Sequence, residues 1–230
     1  KYAPNSAGDM VISGNIITIL DNASELAILA IGMTLVTSAS GGQDISVGAT
    51  IAVAGSVVLR VLCGGEVSPA ALHAPIIVAF LACVVVSMLL GAFNGALVAY
   101  FKIQPMVATL ILFSAARAIG LLLCNNMIVY VREDSFKIFG GYLGFIPTPI
   151  VVAAVCIIIT SLILKKTALG LYVQSVGINK KASRIAGIKS ERIIFLCYIV
   201  CGLCAGIAGI VASSRISSAD SNNIGLNFEL

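Results

Sequence analysis

Tryptophan is absent from this chain, histidine occurs once, at His73, and charged residues make up only 10% of it. Each scarcity excludes something. Without Trp, and with Tyr and Phe scattered along the sequence, no aromatic clamp for a solute can be identified. With a single histidine, no Ser/His/Asp arrangement and no convincing metal-ligand cluster can be assembled, so no catalytic residue, metal or cofactor is expected. No Gly-x-x-x-x-Gly-Lys-Ser/Thr phosphate loop occurs. The chain is therefore not expected to act as an ATPase, and any energy would come from another subunit. A soluble domain carries about 25% charged residues, far more than this chain does.

What the chain has instead is apolar residues, 59% of the total, at a mean hydropathy of +1.08. They come in runs rather than in the alternation of a barrel wall. The expected fold class is all-α, a polytopic transmembrane helical bundle with about six hydrophobic segments in one membrane domain over residues 1–230. The runs are about Ala23–Ala39, Ile45–Leu62, Ala74–Phe101, Met106–Leu123, Ile150–Leu164 and Ile193–Ala212. Ahead of them, Asn15–Leu20 reads as a short interfacial turn of helix, and Lys1 to Leu20 lacks the apolar core and cleavage site of a signal peptide. With no initiator Met and no polar tail after Asn227-Phe228-Glu229-Leu230, sequence is expected beyond both ends.

The net charge of +4 invites a nucleic-acid reading, but half of the fourteen basic residues lie between Lys165 and Arg192, beside membrane spans. That clustering marks a cytoplasmic loop, about residues 165–192, and a protein that meets lipid rather than nucleic acid. The connector from Cys124 to Thr148, with Arg132, Glu133, Asp134 and Lys137 in charge balance, then lies on the other side. Most of the seven cysteines fall within hydrophobic runs, where they act as small apolar residues. Cys197, Cys201 and Cys204 share a helix face but have no His or carboxylate near them in sequence to complete a metal site.

Inside the basic loop, Asn179 is suited to cap a short helix and Gly187 to end it in the left-handed conformation. Between them Ala182, Ile185 and Ala186 share one face, while Lys180, Lys181 and Arg184 spread over the other. On spacing alone the segment reads as an amphipathic helix lying on the membrane surface.

The polar break Ser40-Gly41-Gly42-Gln43-Asp44 divides the first two runs. Irregular backbone at membrane depth is tolerated where it is buried in protein or faces water, and it often lines a solute path. Asp44 and Ser46 therefore read in two ways, as path residues or as the cap of the next helix, whose N-terminus favours an anion. Asn94, between Gly91 and Gly95, reads either as an interhelical hydrogen-bonding residue or as a solute contact, with the Gly-x-x-x-Gly pair giving a face for close helix approach. Arg117, inside the fourth run, needs to snorkel or find a partner.

Three separated stretches carry a family resemblance. Gly41-Gly42-Gln43-Asp44-Ile45-Ser46-Val47-Gly48, then Ile146-Pro147-Thr148-Pro149, and above all Leu169-Gly170 through Gly177, Asn179, Ala182, Arg184, Gly187 and Ile188, continued by Tyr198 and the Gly/Ala-rich run after it, resemble the permease subunits of bacterial ATP-binding cassette importers for simple sugars. The resemblance implies a multi-pass protein of the bacterial cytoplasmic membrane that translocates a ribose-like monosaccharide. It implies three partners: a cytoplasmic ATPase, an extracytoplasmic sugar-binding protein, and a second permease subunit in a homo- or heterodimer. Gly177, Asn179, Ala182, Arg184 and Gly187 then belong to the loop that couples the permease to the ATPase. Gln43 and Lys180 depart from the family, which usually has an aliphatic and an acidic residue there. Related permeases carry nucleosides or branched-chain amino acids, and a secondary transporter or channel is the rival from another class. That rival ordinarily uses paired ionisable groups at mid-membrane, and here only Arg117 and Asp44 stand as candidates.

Overall fold

The apolar runs fold as helices that lie side by side and alternate in direction. The structure, a computed structural model, describes residues 2–4, 10–12, 15–67, 72–131, 136, 139–143, 146–221 and 224–225. In chain order the helices are α1 (Asn15–Ser40), α2 (Val47–Cys63), α3 (Ile76–Ala99), α4 (Pro105–Leu123), α5 (Thr148–Lys166), α6 (Ala168–Ile178), α7 (Lys180–Ile185) and α8 (Ser190–Ile216). Six short strands pair antiparallel two by two: β1 (Tyr2–Pro4) with β2 (Met10–Ile12), β3 (Val129–Tyr130) with β6 (Ser218–Ala219), and β4 (Tyr142–Leu143) with β5 (Ile146–Pro147). Among the described residues five helices, α1, α3, α4, α5 and α8, are long and apolar enough to cross a membrane. Arg132, Glu133, Asp134, Lys137, Gly144, Phe145 and the stretch Asn227 to Leu230 lie outside the described residues.

α2 is the centre of the bundle. Fifteen of its 17 residues are buried, as a helix apolar on every side requires. At 1.5 Å per residue it is about 26 Å long, short of a hydrocarbon core of about 30 Å. Its neighbours α3, α4 and α8 enclose it, so that it need not meet lipid along its whole length. Of the six expected runs this is the one that falls below spanning length.

The first run needs correction. The interfacial turn expected at Asn15–Leu20 is continuous with the span, and α1 is a single helix of 26 residues. Its polar outer turns are accommodated by α8. Arg215 Nη1 donates to Asn22 Oδ1 at 2.6 Å, and Arg215 Nε stands 3.0 Å from Glu25 Oε1 in an ion pair whose angle is too poor for a hydrogen bond. Nη2 donates to the other carboxylate oxygen at 3.4 Å. Glu25 is 1% exposed.

α3 and α8 cross closely because neither has a side chain at the contact. A Cβ at Gly91 would stand 2.4 Å from the Tyr198 carbonyl oxygen, and one at Gly202 would stand 2.4 Å from that of Ser87. The Gly-x-x-x-Gly face thus meets a glycine of the facing helix.

Arg117 does not snorkel. Its Nη1 donates to the Ser221 carbonyl at 2.7 Å, and its guanidinium lies 5.7 Å from the Phe113 ring centroid. Beyond β6 the chain turns back into the bundle. Ser221 Oγ hydrogen-bonds Ser56 Oγ at 2.7 Å, and Gly225 lies against the Gly48 carbonyl.

Candidate functional site

Local chemistry explains the basic loop. Thr167 caps α6 by accepting the Leu169 N–H at 3.3 Å. Gly170, Val173 and Val176, three residues apart, turn one face of α6 inward. This helix was not anticipated, because Tyr172, Gln174 and Ser175 interrupt the apolar run; the three-residue spacing was the available signal. Gly177 then lies against the Ser38 carbonyl at the end of α1.

Asn179 Oδ1 accepts the N–H groups of Lys181 and Ala182, each at 3.0 Å, and so caps α7. The other end of α7 closes as a Schellman motif. Ile188 N–H donates to Ser183 O at 2.9 Å, Gly187 N–H donates to Arg184 O at 3.1 Å, and Gly187 has φ +86°. Both ends therefore form as the spacing predicts.

The faces of α7 differ from a helix resting on its own bundle. Ser183 is its buried residue, whereas Ala182, Ile185 and Ala186 are exposed, Ile185 to 90%. Ile178, just ahead, is 86% exposed. The loop is nevertheless anchored. Lys180 Nζ donates to Ser40 O at 3.1 Å, Ser190 Oγ donates to Lys180 O at 3.4 Å, and Arg184 pairs with Glu191.

Ser40 connects the loop to the polar break, which occupies the same end of the bundle. There Asp44, Ser46 and Asn94 come together. Asp44 Oδ1 accepts the Ser46 N–H at 2.9 Å and the Ser46 hydroxyl at 2.6 Å, and Asn94 Nδ2 donates to Ser46 Oγ at 2.8 Å. All three are at most 5% exposed. The bond to the Ser46 N–H is the one an N-cap side chain makes, although regular helix starts only at Val47. Thr109 Oγ1, from α4, accepts the Ile45 N–H at 3.2 Å. Burial pushes the Asp44 carboxyl above the usual carboxylate range, and its bonds from Ser46 act the other way. Asn94 Oδ1, buried, has no hydrogen-bond partner among the described residues, and the buried Tyr198 hydroxyl lies beside this group. Neither Thr109 nor Tyr198 was singled out as part of this group from sequence; each reaches it from another helix.

Among the described residues no group of three His, Cys, Asp or Glu side chains is arranged to hold a metal. The cysteines of α8 are free thiols.

The family described as branched-chain amino acid transport system / permease component matches residues 15–230. The chain belongs to this permease family. Among its relatives, the galactofuranose transporter permease protein YtfT of Escherichia coli is 43% identical over 218 residues, covering 94% of this chain and 61% of that protein. The ribose import permease protein RbsC of Escherichia coli is 34% identical over 94% of this chain and 66% of its own length. The fructose import permease protein FruF of Bifidobacterium longum is 33% identical over 95% of this chain and 60% of its own. The chain thus spans about three fifths to two thirds of these relatives. No solved structure matches it. Its spans and its family make this permease a multi-pass protein of the bacterial cytoplasmic membrane.

Proposed function

We propose that the permease is the membrane subunit of an ATP-driven importer of a sugar. In this reading the basic end faces the cytoplasm, where an ATPase docks on residues 165–192. An extracytoplasmic binding protein delivers the solute on the opposite face, and a second permease subunit completes the path. ATP hydrolysis takes place on the partner. The observation that carries this reading is the exposed pair Ile178 and Ile185 beside α7. Two aliphatic side chains bared at the basic end of the bundle, on a loop whose own bonds hold it in place, suit a groove on a cytosolic protein. Gly177 against Ser38 and Lys180 against Ser40 supply a rigid link from that loop to the break before α2. The relatives named for galactofuranose, ribose and fructose support a sugar as cargo.

The test is reconstitution of the full protein with its ATPase and binding protein in proteoliposomes. Uptake of a monosaccharide should require ATP, and Ile178→Asp with Ile185→Asp should abolish co-purification of the ATPase while the permease still inserts. Uptake driven by an ion gradient without the ATPase would instead mean a secondary transporter.

Within this reading Asp44, Ser46 and Asn94 lock the break rather than select the solute. An Asn at position 44 keeps the acceptor oxygen and loses only the charge at the helix start. Asp44→Asn should therefore cost about 0.5 to 1 kcal/mol of stability and leave the preference among sugars unchanged. Competition uptake at matched protein levels checks this, and a changed preference would return Asp44 to the solute path.

A further inference from the structure

A concavity of about 320 Å³ opens at the basic end between α3, α4, α7 and α8. Its polar lining includes Lys102, Lys180, Arg184 and Glu191. Glu191 neutralises Arg184. Among the described residues the Lys180 ammonium bonds the neutral Ser40 carbonyl and no carboxylate, and Lys102 has no ion-pair partner. Two positive charges are thus left uncompensated around one cavity. Ser190, the first residue of α8, also lines it, and no side chain caps the first turn of that helix. Apart from Ser40 and Gln104 the remaining wall is apolar, with Val98, Ile103 and Ile194.

The depth of the cavity is marked by its neighbours. Tyr100 and Phe101, immediately before Lys102, are 53% and 72% exposed. Exposed aromatic side chains at the end of a spanning helix, followed by a lysine, mark the membrane–water boundary. An anion-seeking cavity with an apolar wall therefore stands level with lipid headgroups.

We propose that this cavity binds the phosphate headgroup of an anionic phospholipid, with Lys102 and Lys180 on the phosphate and the apolar wall against the glycerol and first methylenes. Basic pockets between spans are suited to such headgroups. The proposal rests on the spans and the charged end of the bundle, and not on the transport reading.

The experiment uses the full protein in nanodiscs of phosphatidylethanolamine with phosphatidylglycerol, and native mass spectrometry to count retained lipid. Phosphatidylglycerol should be retained in preference to phosphatidylethanolamine. Lys102→Gln with Lys180→Gln should weaken that retention about 30-fold, as expected for two basic residues at an anionic surface. The Lys102→Arg, Lys180→Arg variant should restore it, which separates lost binding from lost folding. Lys165→Gln with Lys166→Gln, at the same end but outside the cavity, should retain the lipid. Equal loss in that control would mean general attraction of the basic end and overturn the site. Displacement of the lipid by millimolar inorganic phosphate would assign the cavity to a free anion and overturn the lipid. Unchanged lipid retention in the Gln variant, with or without loss of ATPase co-purification, would overturn it too, and in the former case make the cavity a protein contact.

Discussion

Gly187→Val is expected to cut sugar uptake about five- to thirtyfold at equal abundance of the assembled complex, and to cut the ATP hydrolysis stimulated by loaded binding protein in parallel. The cause lies in the backbone. Gly187 has φ +86°, and no heavy atom lies within 4 Å of where a Cβ would stand, so the valine meets no clash. It meets instead the steric cost of left-handed backbone, roughly 1 to 2 kcal/mol, which corresponds to the stated range at tenfold per 1.4 kcal/mol. The strained residue escapes by giving up the bonds from Gly187 to Arg184 and from Ile188 to Ser183 that close α7. Ile185 and Ile178 then lose the relative placement that docking needs. Gly187→Asn, a residue that tolerates left-handed backbone, is the control and should retain most of the uptake. Measured in the full protein assembled with its partners, wild-type uptake and stimulated hydrolysis in Gly187→Val would remove the case for α7 as the transmitting element.

The second large effect is expected at the far end of the bundle. Glu25→Ala should destabilise the protein by about 3 kcal/mol, the lower end of the cost of breaking a buried ion pair from one side. The lower end applies because the Arg215 side chain is 28% exposed and keeps its bond to Asn22. Glu25→Gln, which keeps the shape and an acceptor oxygen, should cost less than half as much. Thermal unfolding of the purified protein in detergent makes the comparison. Equal midpoints for Glu25→Ala and wild type would show that the pair contributes nothing to holding α1 against α8.

Features decided within a few residues were legible before any coordinates. Asn179 and Gly187 are six residues of helix apart, and the cap and the left-handed stop each follow from one side chain or its absence. The close approach at Gly91 was legible for the same reason, since small residues four apart leave a backbone bare. The start of α1 was not, because Asp21 and Asn22 look like the end of a span until Arg215, 193 residues after Asn22, is known to bond it. Asp44, Ser46 and Asn94 were each noticed for their own chemistry. Their union was not legible, since Asn94 reaches Ser46 across 48 residues of chain. α6 was lost to its polar outer face, which a hydropathy reading counts equally with the buried one.

The bond from Arg117 to the Ser221 carbonyl also sets a delay. The acceptor lies 104 residues after the donor, and a chain grows at about 5 to 20 residues per second. For roughly 5 to 20 s after α4 leaves the ribosome, its guanidinium is without the carbonyl that will hold it. During that interval the charge has the ring of Phe113, one turn back on α4, but not the carbonyl of Ser221. The bond forms only after α8 and the returning segment are made, so a later stretch of the chain completes an earlier one.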